Sequence, residues 1–499
     1  MLLNLVLAGT LAMTGVQPVE SVWLTKYRAL EAQISGNYYT SPKSDRLAWG
    51  ESYIMRSYLD VYQATQDTAW LDKLVTHADK VISNADDIDG DGFLGWSTAK
   101  YTPVALSNPG FGNAASGDTT LPAAWTRFQD TGSHVHRTTD TPAGEGPQAV
   151  RIISDQTRWK KLYQNVAAGY GSGVTYVLRG WGKKTGSATG RIVLREGTRS
   201  ICALDYTSTS WTYKEVECVM PRGGPALRVW LEHATYTATG SAYYDEVELS
   251  GRYPFIVHDG MIGLPMAEFA RLIATTPALS AYAGKADAYR SFLETQIVPR
   301  WERSAFLGNT WNGTTYREPP NINTMPGTDP SRDLPYNMAL AFANMLTVLH
   351  SLNGDATYQA RADSVVRWAK GALVNSGGAY VWNYASYAAQ KEDISHANVD
   401  LSAFLEYYRN GRILTAADMT ALKNTFTTKM WNRSTTAPRF SWNVDGTDNT
   451  AQADYYLHSW IELTEWDPQV KALVATKYTN LPLSNPSHLI TLARLIKHG

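Results

Sequence analysis

Three stretches of this chain carry side chains of the kinds that move protons. They are Ser331-Arg332-Asp333-Leu334-Pro335-Tyr336-Asn337, Lys391-Glu392-Asp393-Ile394-Ser395-His396-Ala397-Asn398-Val399-Asp400 and Asn449 through Trp460, which includes Tyr455, Tyr456 and His458. Asn337, His396 and Tyr455 follow one another at equal intervals of 59 residues. An amide, an imidazole and a phenol suit β-elimination across a uronic acid. A neutral imidazole takes a proton near pH 7 without large tuning, and a phenol can return one to the departing oxygen or serve as both base and acid. The Asn337 amide can hydrogen-bond a carboxylate into which negative charge spreads, as an oxyanion hole does. Arg332 adds charge complementary to a uronate. Tyr336, His258, Asn398, His458 and Trp460 complete the set of candidate substrate contacts, Tyr456 standing beside Tyr455 as an alternative proton donor.

Equal spacing matters only if a repeating element positions the three groups. Residues 58–82 read as helix, polar turn, helix, and the plan returns at 266–297, 340–370, 400–430 and from about Tyr455 to the C-terminus. Apolar positions fall at i, i+3, i+4 and i+7 within these stretches, the period of a helix with one buried face. The expected fold is mainly α, with five to seven antiparallel helix pairs closed into an (α/α)n toroid, because polar capping repeats of an open solenoid are not seen. Equal phase then places Asn337, His396 and Tyr455 on one rim of one cavity.

The block 105–252 follows another grammar. Alternating stretches such as Gln148–Ser154, Gly173–Trp181, Gly190–Arg195 and Ala226–Glu232 are separated by turn residues, as in an antiparallel β-sandwich. The reading is therefore a helical body in two parts, 21–104 and 253–499, interrupted by an inserted sandwich. Trp159, Tyr163, Trp181 and Trp211 are candidate sugar platforms. Cys202 and Cys218 flank a turn-rich segment and suit a bridge worth about 3 kcal/mol, two buried thiols being the alternative.

The insert opens on Ser107-Asn108-Pro109-Gly110-Phe111 and closes on Asp245-Glu246-Val247, and in this it resembles the jelly-roll carbohydrate-binding modules of bacterial polysaccharide-degrading enzymes. The segments Pro335-Tyr336-Asn337-Met338, Glu392 through Ala397 and Val257 through Ile262 resemble those of bacterial α/α-toroid polysaccharide lyases of the alginate and glucuronan type. That resemblance covers roughly 45–104 and 253–470. It implies Asn337 as carboxylate neutraliser, His396 as base and Tyr455 as acid, with Tyr456 unresolved as the donor.

Hydrolysis is the competing chemistry. It needs two separated carboxyl groups, for which Glu51, Glu302, Asp333, Asp393 and Asp400 are available, and a non-catalytic glycan-binding protein is a third class. Elimination requires no cofactor. Asp87, Asp89 and Asp91 alternate with glycine as in a structural calcium loop, yet the twelfth position, a glutamate in an EF-hand, is Thr98; a solvated turn is the plainer reading.

Lys+Arg 45 against Asp+Glu 46 in 499 residues gives a net charge of -1, which implies neither nucleic acid nor membrane as a partner. The 17 Trp and 29 Tyr are rich enough to line a sugar groove as well as a core. The apolar run at 1–20 has the length of a signal peptide. With the cysteine pair, it leads to an expected secreted or periplasmic monomer acting on a polysaccharide.

Overall fold

The computed structural model describes residues 21–499 except 88–90, 100–105, 131, 167–174, 220–226, 306 and 321–330. The apolar start at 1–20 and Asp89 therefore lie outside the described residues. The architecture is mixed α and β, a helical body joined to an antiparallel sandwich, where the sequence pointed to a mainly α chain. Among the described residues no helix is long and apolar enough to cross a membrane.

Five helices organise the body: α1 (Ser52–Thr65), α2 (Ile256–Thr275), α3 (Tyr336–Asn353), α4 (Ile394–Arg409) and α5 (Pro486–Lys497). Local chemistry sets their ends. Asp393 accepts from the main-chain N–H of Ser395 and His396 to cap α4, and Asn485 accepts from that of His488 to cap α5, which has proline in its first turn. Left-handed Gly354 closes α3. Most of α2 is buried, as expected for a helix apolar on nearly every side. Each of α1–α4 is followed by a returning helix, Ala69–Ser83, Ala283–Phe292, Ala356–Gly371 and Ala416–Asn424, and Pro468–Asn480 precedes α5.

Contacts at two levels show that the five run in the same direction. At the upper level Trp49, just ahead of α1, turns its ring edge-on to His258 and His396, in the first turns of α2 and α4. Two turns further along, Arg56 of α1 grips Glu268 of α2 at 3.0 and 2.9 Å and reaches Ser402 of α4 at 3.1 Å. Asn344 of α3 meets the same Ser402 at 3.2 Å. Helix α5 has Ser487 at the upper level and Arg494 paired with Asp60 of α1 below, at 3.1 Å. The upper level thus gathers helix N-termini and the lower level their C-terminal halves.

The lower level encloses a cavity of about 450 Å³. Its charges are matched across helices: Arg56 with Glu268, Arg271 with Glu406, Arg409 with Glu462, and Arg494 and Lys497 with Asp60.

The sandwich contains ten principal strands: β1 (Thr126–Phe128), β2 (Val135–Thr138), β3 (Ala149–Ile153), β4 (Lys161–Asn165), β5 (Thr175–Lys184), β6 (Gly190–Glu196), β7 (Arg199–Tyr206), β8 (Thr212–Val219), β9 (Leu227–His233) and β10 (Ser241–Tyr253). One sheet has the order β8-β5-β10-β3-β2 and the other β7-β6-β9-β4-β1. Leu178, Ile192, Val229 and Tyr244 fill the space between them. Cys202 on β7 and Cys218 on β8 form a disulfide with Cα atoms 5.4 Å apart, so the bridge ties edge strands of different sheets. The module is anchored to the body where Thr98 and Ala99 pair with Tyr253 and Arg252 of β10, and by the ion pair of Lys43 with Glu215.

Candidate functional site

His396 sits in the first turn of α4 and lines an upper cavity of about 340 Å³ together with Tyr38, Trp49, Tyr53, Ser395, Tyr456, Asn485, Pro486 and Ser487. Its Nδ1 lies 2.8 Å from Asp393 Oδ2 and 3.6 Å from Glu392 Oε1. The contact has ion-pair distance without hydrogen-bond geometry, Nδ1 having no hydrogen-bond partner. Burial pushes the Asp393 carboxyl up, but the nearby His396 ring and hydrogen bonds from Ser395 and the main chain outweigh it and hold the group below the usual range. Behind it, burial drives Glu392 well up, with the Asp400 and Asp393 charges adding to the rise, and burial raises Asp400 to about 7. Trp382 Nε1 donates to Asp400 Oδ2 at 2.9 Å and fixes the back of the cluster.

The two neighbouring tyrosines part company. Tyr456 lines the cavity with His396, and burial, with Asp393 and Tyr455 nearby, raises its phenol pKa. Tyr455, the last residue of a short 3₁₀ turn (Ala451–Tyr455), packs its ring edge-on against His488 at 4.9 Å. The structure therefore brings His396 and Tyr456 together and turns Tyr455 elsewhere. Asn337 is buried in the first turn of α3 with its Oδ1 unpartnered, and it is not among the residues lining the cavity. A path joins it to the site: the Tyr336 N–H donates to the Tyr384 carbonyl at 3.3 Å, and the Tyr384 ring lies 5.2 Å from that of His396.

The remaining candidates separate in the same way. His258 donates to or accepts from Ser44 Oγ through Nδ1 at 2.8 Å, and burial lowers its pKa to about 4. It reaches the cavity only through Trp49. His458 is buried, bonded to Ser487 Oγ at 3.0 Å and packed on Tyr53; burial, with Arg494 and Arg56, holds it neutral. It lies beneath the cavity wall. Arg332 places its guanidinium over the Tyr387 ring, 4.9 Å from the centroid.

Three assignments as substrate contacts give way to structural roles. Asn398 spends its amide on the main chain, donating to the carbonyls of Ile394 and Tyr456 and accepting from the Ser459 N–H, so it fixes the tyrosine segment to α4. Trp460 is fully buried and stacked on Phe426, with no face open to a ligand. Tyr336 packs its ring on Trp368 at 4.4 Å.

In the proposed calcium loop, Asp87 accepts from the main-chain N–H of Asp91 and Gly92, and Asp91 from that of Phe93 and from Ser304. These bonds close the turn through protein groups. Among the described residues one metal-capable cluster is Glu392, Asp393 and His396.

Trp49, Tyr53, Tyr38 and Tyr384 were not found from sequence. The run Leu47-Ala48-Trp49-Gly50-Glu51 carries no motif, and only the tertiary fold brings position 49 to position 396. One signal was legible: Asp393 three residues before His396 at a helix start is the spacing of an N-cap.

Two helix N-termini meet at the cavity, that of α4 already capped by the Asp393 carboxylate. The N-termini of α4 and α5 open onto it, and the partial positive charge there attracts carboxylates. No Asp or Glu is among its lining residues. On the sandwich, Trp181 stands opposite Tyr213 across β5 and β8, and Trp211 lies by Tyr243 and Lys183, a row of rings and cations on one sheet face. Trp159 packs against Tyr236 and Tyr163 against Trp230 on the other side.

No family model matches the chain, and no curated protein does. Among solved structures it is similar to a family 16 carbohydrate-binding module, with 22% identity over 25% of this chain and 89% of that one at a TM-score of 0.21. It is likewise similar to TmCBM61 in complex with β-1,4-galactotriose, with 19% identity over 30% and 98% at 0.23. A third is the CBM22-1 xylan-binding domain of Paenibacillus barcinonensis Xyn10C, with 15% identity over 29% and 92% at 0.23.

Proposed function

We propose that this protein is a secreted polysaccharide lyase that cleaves a uronic-acid-containing glycan by β-elimination. In this reading α1–α5 and their returning helices form an α/α toroid, and the sandwich holds the polymer. The observation that carries it is that His396, with the Asp393 carboxylate 2.8 Å from its Nδ1, and the Tyr456 phenol line one cavity at helix N-termini. His396 Nε2 takes the C5 proton, and the electron pair of that bond forms the C4–C5 double bond as the C4–O bond breaks. Tyr456, kept protonated by its raised pKa, gives its proton to the departing oxygen. The helix N-termini stabilise the uronate carboxylate while charge builds on it; Asn337, buried off the cavity wall, is left without the neutralising role that the resemblance gave it. Hydrolysis has weaker support, because the cavity wall offers no pair of carboxyl groups to activate water.

Incubation with alginate, glucuronan, pectate and glycosaminoglycans, followed by near-ultraviolet absorbance, tests the proposal. A C4–C5 double bond conjugated to the carboxylate absorbs there. New reducing ends without absorbance establish hydrolysis instead, and binding without new ends a glycan-binding protein.

A further inference from the structure

The lower cavity lies at the opposite end of the same helices from His396, and the proposed elimination makes no use of it. At about 450 Å³ it falls within the range of small-molecule sites, roughly 300–1,000 Å³. Five cationic side chains line it against four carboxylates. The surplus is local. Asp60 pairs with Arg494 and Lys497, and Glu462 with Arg409, so three cations in one corner share two carboxylates. Exposure divides the two signs there. The side chains of Arg409 and Lys497 are 37% and 27% exposed, those of Glu462 and Asp60 2% and 10%. An entering molecule therefore meets the cations first.

These two cationic heads also hold donors that the protein leaves unused. Arg409 makes both its hydrogen bonds, to Glu462 and Glu465, through Nη2, so its Nη1 and Nε have no acceptor among the described residues. Lys497 Nζ makes one, to Asp60 Oδ1 at 2.9 Å, where an ammonium can give three. Both heads approach the same Glu462 carboxylate, at 2.8 and 3.6 Å, so one small group can bridge them. Arg409 and Lys497 end α4 and α5, where cations also offset the helix dipoles. That role takes up charge but no N–H, and the spare donors remain. Glu465, the other partner of Arg409, is not on the cavity wall and is itself exposed to water, which screens it. A carboxylate or phosphate offers several acceptors and forms charge-assisted bonds, roughly twice as strong as those of a neutral hydroxyl.

We propose that the lower cavity is a second ligand site that takes a small oxyanion, a carboxylate or phosphate on a molecule no larger than one sugar ring, held between Arg409 and Lys497. The site takes no part in the elimination and stands whether or not that reading holds.

Calorimetry on the full chain at low ionic strength tests it, with inorganic phosphate, glucose 6-phosphate and glucuronate as probes and glucose as the neutral control. At least one anionic probe is expected to bind saturably, and glucose is not; which probe binds tells phosphate from carboxylate. Arg409→Gln should weaken that binding about tenfold or more, as loss of a charge-assisted hydrogen bond does. Gln63→Glu adds a carboxylate to the wall at an exposed position, so it should weaken binding without unpairing Glu462. Circular dichroism and thermal unfolding confirm that each variant is folded, and if Arg409→Gln does not fold, Gln63→Glu decides. Trp49→Ala in the upper cavity should leave binding unchanged. The proposal is overturned if no anionic probe binds, if glucose binds equally well, or if binding is undiminished in a folded lower-cavity variant. Loss of all binding in Trp49→Ala overturns it too, since the anion would then sit beside His396.

Discussion

His396 Nδ1 lies 2.8 Å from Asp393 Oδ2, and the other oxygen of that carboxylate caps the helix carrying the histidine. One side chain thus both sets where α4 begins and lays a carboxylate beside the imidazole. Asparagine caps a helix about as well as aspartate, so Asp393→Asn should leave the melting temperature nearly unchanged. It should still lower kcat by between about 10- and 10⁴-fold, since the ring loses its anionic neighbour. His396→Ala should lower kcat by about 10²- to 10⁴-fold. Product absorbance and thermal unfolding read the two effects separately; equal activity in wild type and both variants removes this pair from the chemistry.

Tyr456→Phe should lower turnover by about 10²-fold or more, whereas Tyr455→Phe should retain most of it. Their rings occupy different surroundings, the cavity for one and the face of His488 for the other. The opposite ranking in initial rates would move the proton donor to Tyr455.

His258 gives a dependence on pH that belongs to stability. Its ordinary pKa is 6.5 and burial lowers it to about 4 in the fold. Between these values the unfolded chain binds a proton that the folded protein refuses, so stability is complete above about pH 6.5 and falls as pH drops toward 4. The loss is of the order of 3 kcal/mol. Burial of His488, also lowered to about 4, adds in the same direction. Denaturant unfolding followed from pH 7 to 4 should show the decline, and His258→Gln should flatten it.

At Gly260 the main chain of α2 comes close to that of α3. A Cβ there would sit 2.6 Å from main-chain atoms of Ala341 and Phe342, which cannot move aside as a flexible side-chain end could. Gly260→Ala should destabilise the body by about 1–3 kcal/mol, seen as a lowered melting temperature.

Removing the bridge with Cys202→Ser and Cys218→Ser should cost the sandwich about 3 kcal/mol, the value for a loop of this length. Hydrogen exchange should rise in β7 and β8, the two strands that it ties. Rates on short soluble oligosaccharides should be unaffected, because the cavity of His396 lies in the helical body.

Read alone, the chain declared its helical hairpins through apolar period, its β insert through alternation and turn residues, and the Cys202–Cys218 pair through proximity around a turn. It also placed Asn337 and His396 at helix starts, where proline and aspartate mark the first turn. Those features are local, and local preference writes them directly into sequence. Which side chains share a wall was decided elsewhere. Tyr455 ends the 3₁₀ turn and Tyr456 leaves it with non-helical backbone, so the two rings diverge although any periodicity counts them as one position. Trp460 and Asn398 look chemical in sequence, yet packing on Phe426 and three main-chain bonds claim them. Trp49 meets His396 only because α1 and α4 run in the same direction with their starts level. Such meetings depend on the azimuth and register of whole helices, which are settled by the summed packing of the body, and no short stretch of residues records them.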